Sequence, residues 1–159
     1  MISAPHFISL RIIYDKLKNI QADWCITGSL GFALHGLDVP VNDIDIQTDA
    51  EGAYKIEEAL FEYVTKKTTF LESENIRSHL GELNIQGITV ELMGGLQKRL
   101  ADGVWEDPVD VTAHRKFIKY KGMSLPTLDL KYEESAYRAL GRIEKADMIK
   151  AWLEKNADK

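Results

Sequence analysis

DWCITGSLGFALHGLDVPVNDIDIQT, residues 23–48, is the stretch from which the rest of the chain takes its meaning. It holds an apolar run, Trp24 to Thr27, that ends on Gly28-Ser29, then a short amphipathic segment, then a second apolar run around Asp43-Ile44-Asp45. If both runs are strands, Asp43 and Asp45 project from one face, because side chains two apart on a strand point the same way. Two carboxylates held about 4 Å apart repel by roughly 4 kcal/mol at the effective dielectric of a protein surface. A divalent cation relieves that repulsion, and hard carboxylate oxygens suit Mg2+ or Mn2+, which also bind substrate phosphates. Gly28-Ser29 supplies the complementary half. A glycine lets backbone N–H groups approach an anion, the serine hydroxyl adds a donor, and a helix starting there turns its positive end toward phosphate. The plainer reading of these pieces, an Asp-x-Asp on a solvated strand edge and a Gly-Ser in an ordinary turn, predicts that the acids do not converge in space.

Gly28-Ser29, a thirteen-residue spacer from Leu30 to Asn42, and Asp43-Ile44-Asp45-Ile46 together resemble the signature of the nucleotidyltransferase superfamily, the polymerase-beta-like fold. The resemblance implies a third acidic residue on a later strand, and Glu91 in Ile88-Thr89-Val90-Glu91-Leu92-Met93 matches it, with apolar neighbours alternating around the carboxylate. Val41 and Asn42 depart from the pattern, standing where relatives carry arginine, threonine or lysine. Farther on, Leu125-Pro126-Thr127-Leu128-Asp129-Leu130 with Leu140-Gly141-Arg142-Ile143-Glu144-Lys145-Ala146-Asp147 is similar to the C-terminal part of small bacterial nucleotidyltransferase-like proteins, including the toxin branch related to abortive infection. There a basic residue and a charged turn between two helices face the nucleotide; Arg138, Arg142 and Lys145 match here, while Ala146 replaces an acidic residue.

What the resemblance implies is an α+β fold, a mixed and largely antiparallel sheet flanked by helices, with a C-terminal helical pair. Residues 1–124 would form the nucleotidyltransferase core and 125–159 a helical segment packed on it, one domain overall. The expected activity is Mg2+-dependent transfer of a nucleoside monophosphate from an NTP to an acceptor hydroxyl, with release of pyrophosphate. Asp43, Asp45 and Glu91 would hold two Mg2+ ions, Mn2+ being the alternative, and Glu91 would also take the proton. Gly28, Ser29, Arg138, Arg142 and Lys145 would bind the nucleotide. The acceptor, a small molecule, an RNA or a protein, is left open. The alternative is a catalytically inactive binding protein on the same fold, such as a toxin–antitoxin component with a cognate protein partner.

The chain-wide properties bound these readings. At 159 residues with 45% hydrophobic and 28% charged content, the chain suits a folded domain with a substantial core. Its net charge of −5 argues against broad electrostatic binding to nucleic acid. Cys25 is the single cysteine, so no intramolecular disulfide forms, and it reads as a small buried residue. The sequence MISAPHFISLRIIYDKLKN lacks a basic leader and a long apolar core, and no stretch reaches membrane-spanning length, so a cytoplasmic location is expected.

In chain order, Phe7, Leu10, Ile13, Leu17 and Ile20 recur at helical spacing behind Ser3 and Pro5. A helix is expected from Ser29 to His35 with Gly36 ending it, His35 serving in packing or touching substrate. Asp49 caps a helix with Ala53, Ile56, Leu60 and Val64 on one face, closed by Lys66-Lys67. Strands follow at Thr68 to Leu71, Ser78 to Ile85 and Ile88 to Met93, with a hairpin at Gln86-Gly87 and His79 on the surface. Gly94-Gly95 reads as a turn before a short helix or irregular segment, Leu96 to Leu100, whose Lys98 and Arg99 are either a solvated pair or reach the triphosphate. Val109 to Tyr120 reads as a strand that Gly122 to Pro126 ends. Asp129 then caps a helix through Leu140, and Ile143, Ala146, Ile149 and Leu153 line the last one.

Overall fold

A computed structural model describes residues 2–157. The chain runs α1 (Ala4–Leu17), β1 (Trp24–Thr27), α2 (Gly28–His35), β2 (Ile44–Thr48), α3 (Ala50–Ala59), a 3-10 turn (Phe61–Tyr63), β3 (Val64–Glu72), β4 (Ile76–Ile85), β5 (Ile88–Lys98), α4 (Val111–His114), β6 (Arg115–Tyr120), β7 (Met123–Leu128), α5 (Leu130–Ala139) and α6 (Ile143–Lys155). The seven strands form one sheet in the order β3-β4-β5-β2-β1-β7-β6. The pairings are antiparallel except β2 with β5 and β1 with β7. This is the mixed, largely antiparallel α+β sheet expected of the nucleotidyltransferase fold.

Alternation along the central strands sorts the two faces. Ile26, Ile44, Ile46, Val90 and Leu92 join Leu10, Ile13 and Leu17 of α1 and Ile56 of α3 in the main core. The opposite face carries Thr27, Asp45, Gln47, Glu91 and Met93, and α5 crosses over it to enclose a cleft. A separate cluster, Phe32, Leu37, Leu130 and Ile149, ties α2 to α5 and α6. Burying several such aliphatic side chains, at about 1.5–3 kcal/mol each, is what anchors the two C-terminal helices beside the cleft.

Local rules explain most boundaries. Ser3 accepts from the His6 N–H at the start of α1, and Pro5 sits in its first turn. Asp49, Asp110 and Asp129 cap α3, α4 and α5 with their carboxylates. Gly36 ends α2 at φ 107, the left-handed conformation that glycine adopts without penalty. Gln86 and Gly87 both have positive φ, the geometry of a two-residue turn whose twist matches its strands.

Four expectations are corrected. Val64 opens β3 rather than ending α3, so Lys66 and Lys67 lie on a strand; the helix stops at Ala59 and a 3-10 turn intervenes. Gly94-Gly95 is not a turn, and Leu96 to Lys98 is not helical: β5 continues through it, Gly95 taking φ 62 at an irregularity in the pairing with β4. Gly94 is glycine because α3 lies on it; an added Cβ would stand 2.7 Å from Ala53 Cβ and from the Asp49 carbonyl oxygen. Val109 to Tyr120 is broken by the one-turn α4 before β6 begins. Met123 to Leu128 is a strand in its own right, between β1 and β6, so residues 125–128 complete the sheet before the helical pair begins.

Candidate active site

The register of the central strands assembles the acids. Asp45 of β2 lies opposite Glu91 of β5 and opposite Thr27 of β1, so Thr27, Asp45 and Glu91 form a row across three adjacent strands on one face. Glu82 of β4 pairs with Glu91 and extends the row. Asp45 and Glu91 face each other across the β2–β5 pair, near enough for Glu91 to raise the proton affinity of Asp45. The Asp45 carboxyl is pushed up to about 7, first by burial and then by the negative charges of Glu91 and Asp43. Asp43 is exposed at the mouth of β2 and acts on Asp45 through its charge. Among the described residues no three His, Cys, Asp or Glu side chains converge into a ready-made cage. The sequence placed three acids at one point; two are brought face to face and the third stands at the rim.

Gly28, at φ 68, makes the close approach of Asp45 to the β1–α2 corner feasible, since a Cβ there would collide with Asp45 Oδ2. Its N–H, expected to face phosphate, instead donates to Glu133 Oε2 at 3.2 Å. Thr27 Oγ1 donates to both Glu133 carboxylate oxygens, at 2.8 and 2.9 Å, rather than capping α2. Ser29 is half-buried and does not line the cleft.

Glu133, only 4% exposed, is the acid that the sequence reading passed over. Burial pushes its carboxyl up to about 7, opposed by the Thr27 and Gly28 hydrogen bonds, with the Asp45 charge pushing in the same direction as burial. A signal was present: Leu130, Glu133 and Tyr137 share one face of α5 at i, i+3, i+7, which sets a carboxylate in an otherwise apolar stripe.

The basic candidates divide. Arg142 lines the cleft and stands 6.0 Å from the centre of the Tyr137 ring, and Lys145 lies 5.2 Å from the same ring, its charge favouring the ionised forms of Asp45 and Glu133. Arg138 is turned away, paired with Asp147 at 3.0 Å and Glu134 at 3.8 Å, and does not line the cleft. Lys98 is no solvated residue: 4% exposed, it forms part of the cleft wall, paired with Glu106 at 3.1 Å and bonded to Tyr132 OH at 3.3 Å. Arg99 is exposed and faces Trp105. His35 packs, its Nε2 2.9 Å from Thr127 Oγ1, and burial lowers its pKa. His79 bonds Tyr54 OH at 2.9 Å on the far side of the sheet edge. Cys25 is fully buried, and burial pushes its thiol up to about 12, as befits an inert core residue.

The cleft between sheet and α5 has a volume of about 260 Å3. Glu91 also borders a second hollow on the β3–β4 side, with Lys66, Lys67, Thr69 and Gly81. Acids at the junction of two hollows, with cations on one wall, suit chemistry on a phosphate ester with two reactants approaching from different sides.

Comparison with known proteins agrees with this geometry. Residues 9–150 match a family model described as aminoglycoside-2''-adenylyltransferase. A candidate nucleotidyltransferase from Thermotoga maritima is 52% identical, with a TM-score of 0.86 over 98% of this chain and 97% of that one. The lincomycin-bound lincosamide antibiotic adenylyltransferase LnuA shares the fold at 16% identity and a TM-score of 0.58, over 89% of this chain and 96% of its own. The antibiotic-resistance factor ANT(2'')-Ia does so at 13% identity and a TM-score of 0.57, over 92% of this chain and 83% of its own. Sequence comparison with curated proteins gives no match. No helix among the described residues is long and apolar enough to cross a membrane.

Proposed function

The chain belongs to the aminoglycoside-2''-adenylyltransferase family of the nucleotidyltransferase superfamily, and from that premise we propose that it transfers a nucleoside monophosphate from an NTP to an acceptor hydroxyl, releasing pyrophosphate. The observation that carries the reading is the Asp45–Glu91 pair, set side by side by the β2–β5 register beneath a helix whose far end brings in Arg142.

Mg2+ fits the residues present. The donors are hard oxygens, and the crowding that raises the proton affinity of Asp45 is the same crowding that a divalent cation relieves. Magnesium is ordinarily held by one or two carboxylates plus water and substrate phosphates, so a protein-built cage is not required. Asp45 and Glu91 would hold one ion, and Asp43 at the rim would help hold a second. When bound, the metal offsets charge on the phosphates and lowers the pKa of the attacking hydroxyl.

The chain's own groups do the rest. Arg142 and Lys145 neutralise the triphosphate and, at the transition state, the charge gathering on the departing pyrophosphate. Gly28 keeps the β1–α2 corner open to the Asp45 carboxylate, and Thr27 with Glu133 fixes that corner. Glu91 faces both hollows and so receives the proton from a hydroxyl arriving on the β3–β4 side. Names borne by the relatives make aminoglycosides and lincosamides the first acceptors to try. In the test, each α-labelled NTP is incubated with Mg2+ and either kanamycin or lincomycin, and label transfer and pyrophosphate are measured. Transfer by the wild type and none by Asp45→Asn is expected. NTP that binds equally with and without Mg2+, and is never turned over by either protein, would sink the proposal.

A further inference from the structure

Among the described residues two buried side-chain polar atoms lack a hydrogen-bond partner, Gln47 Oε1 and Thr68 Oγ1, and of these two residues Gln47 lines the cleft. Lys98 is bound by Glu106 and Tyr132, and Glu133 by Thr27 and Gly28. Gln47 stands two residues beyond Asp45 on the same face of β2, roughly 7 Å deeper along the strand. It is 6% exposed and lines the cleft, yet its Oε1 has no hydrogen-bond partner among the described residues. A buried acceptor left unpaired is destabilising, and proteins rarely retain one without a use. Around it the surface is apolar: Met93, Leu96, Val109 and Leu128 border the same space. Tyr132 is held rigid there, stacked on His114 with ring centres 4.0 Å apart.

We infer that the inner end of the cleft is a specificity pocket, in which the Gln47 side-chain amide accepts a hydrogen bond from an uncharged N–H or O–H group on a ring of the bound substrate. The inference rests on the transferase reading, since it assigns the deep end of the same cleft. An uncharged donor suits the apolar neighbours of Gln47, since burying a further charge among them costs more than burying a neutral N–H or O–H. The ring is either the base of the nucleotide or a ring of the acceptor; both lie one sugar-length from the reacting phosphate. A site built around such a hydrogen bond rejects analogues that lack the donor, as its own polar group is then left unpaired.

The experiment compares wild type, Gln47→Leu, Gln47→Met and Arg142→Ala by calorimetry in Mg2+ against ATP, GTP, CTP, UTP, inorganic tripolyphosphate, kanamycin and lincomycin. Expected is a tenfold or greater loss of affinity in both Gln47 variants for at least one ring-bearing ligand, with tripolyphosphate unaffected and melting temperatures equal to or above wild type. Loss confined to NTPs assigns the ring to the nucleotide base; loss confined to kanamycin or lincomycin assigns it to the acceptor. Arg142→Ala, by contrast, is expected to weaken NTPs and tripolyphosphate alike. If wild type and both Gln47 variants bind every ligand equally, the inference is overturned while the transferase reading stands. If wild type binds no NTP, both fall.

Discussion

Two raised acids give the site a signature that stability measurements can read. The folded state holds protons on Asp45 and Glu133 up to about pH 7, whereas the unfolded chain releases them near 3.8 and 4.5. Between those limits the native state binds more protons, so stability is greatest below about pH 4 on this account and falls as pH rises through 7. Urea melts at pH 5 and pH 8 are expected to show the lower midpoint at pH 8, and Asp45→Asn or Glu133→Gln to narrow the gap; an unchanged gap in both variants would contradict the assignment. Glu133→Ala is a harsher change, leaving Thr27 Oγ1 and the Gly28 N–H without an acceptor at a cost of about 1–3 kcal/mol for each buried group. Asp45 and Glu91 were legible as carboxylates within apolar strand-like runs, whereas Asp43, expected on the same strand, stands exposed in a bend just before β2. Glu133 was not legible, since its partners Thr27 and Gly28 lie more than a hundred residues away and only the folded sheet brings them together. Gln47 carried no sequence signal at all: a glutamine is remarkable only once its amide is seen to be buried and unpaired.

At the scale of elements, glycine misled most. Gly94-Gly95 suggests a turn by local rules, but tertiary packing decides otherwise, because α3 crosses β5 at that point with no room for a side chain. Gly94→Ala is therefore expected to destabilise the fold by about 1–3 kcal/mol, the usual penalty of overpacking, measured by chemical denaturation. Helix caps were the reliable signals, Ser3, Asp49 and Asp129 each standing where a helix begins. The strand Met123–Leu128 was hidden by Pro126, a residue that cannot donate to a ladder and so speaks against a strand inside a sheet. Its pairing with β1 is correspondingly sparse, registered at Ile26 and Thr127.

For the whole molecule, the fold class was readable because hydrophobic periodicity outlines nearly every element, and a motif of known spacing then fixes how they are arranged. What no local pattern supplies is the sorting of the basic residues. Arg138 and Arg142 are equally plausible in sequence, yet one is neutralised by Asp147 and Glu134 while the other borders the cleft. Arg142→Ala is expected to lower kcat/KM for NTP by roughly tenfold, the loss of one charge-assisted hydrogen bond, through a higher KM and a lower kcat together, because the group meets the triphosphate both before and at the transition state. Arg138→Ala is expected to leave KM as it is and to cost at most about 1 kcal/mol of stability, as exposed ion pairs do. Steady-state kinetics with NTP as the varied substrate separates the two.

The bond from Thr27 to Glu133 spans 106 positions of the chain. Residue 133 must therefore have been made before the corner beside Asp45 can be locked, and closing so large a loop is slow compared with forming any single helix. Chains that stop short of α5 lack the lock, so the corner beside Asp45 is fixed only once that helix has joined the sheet.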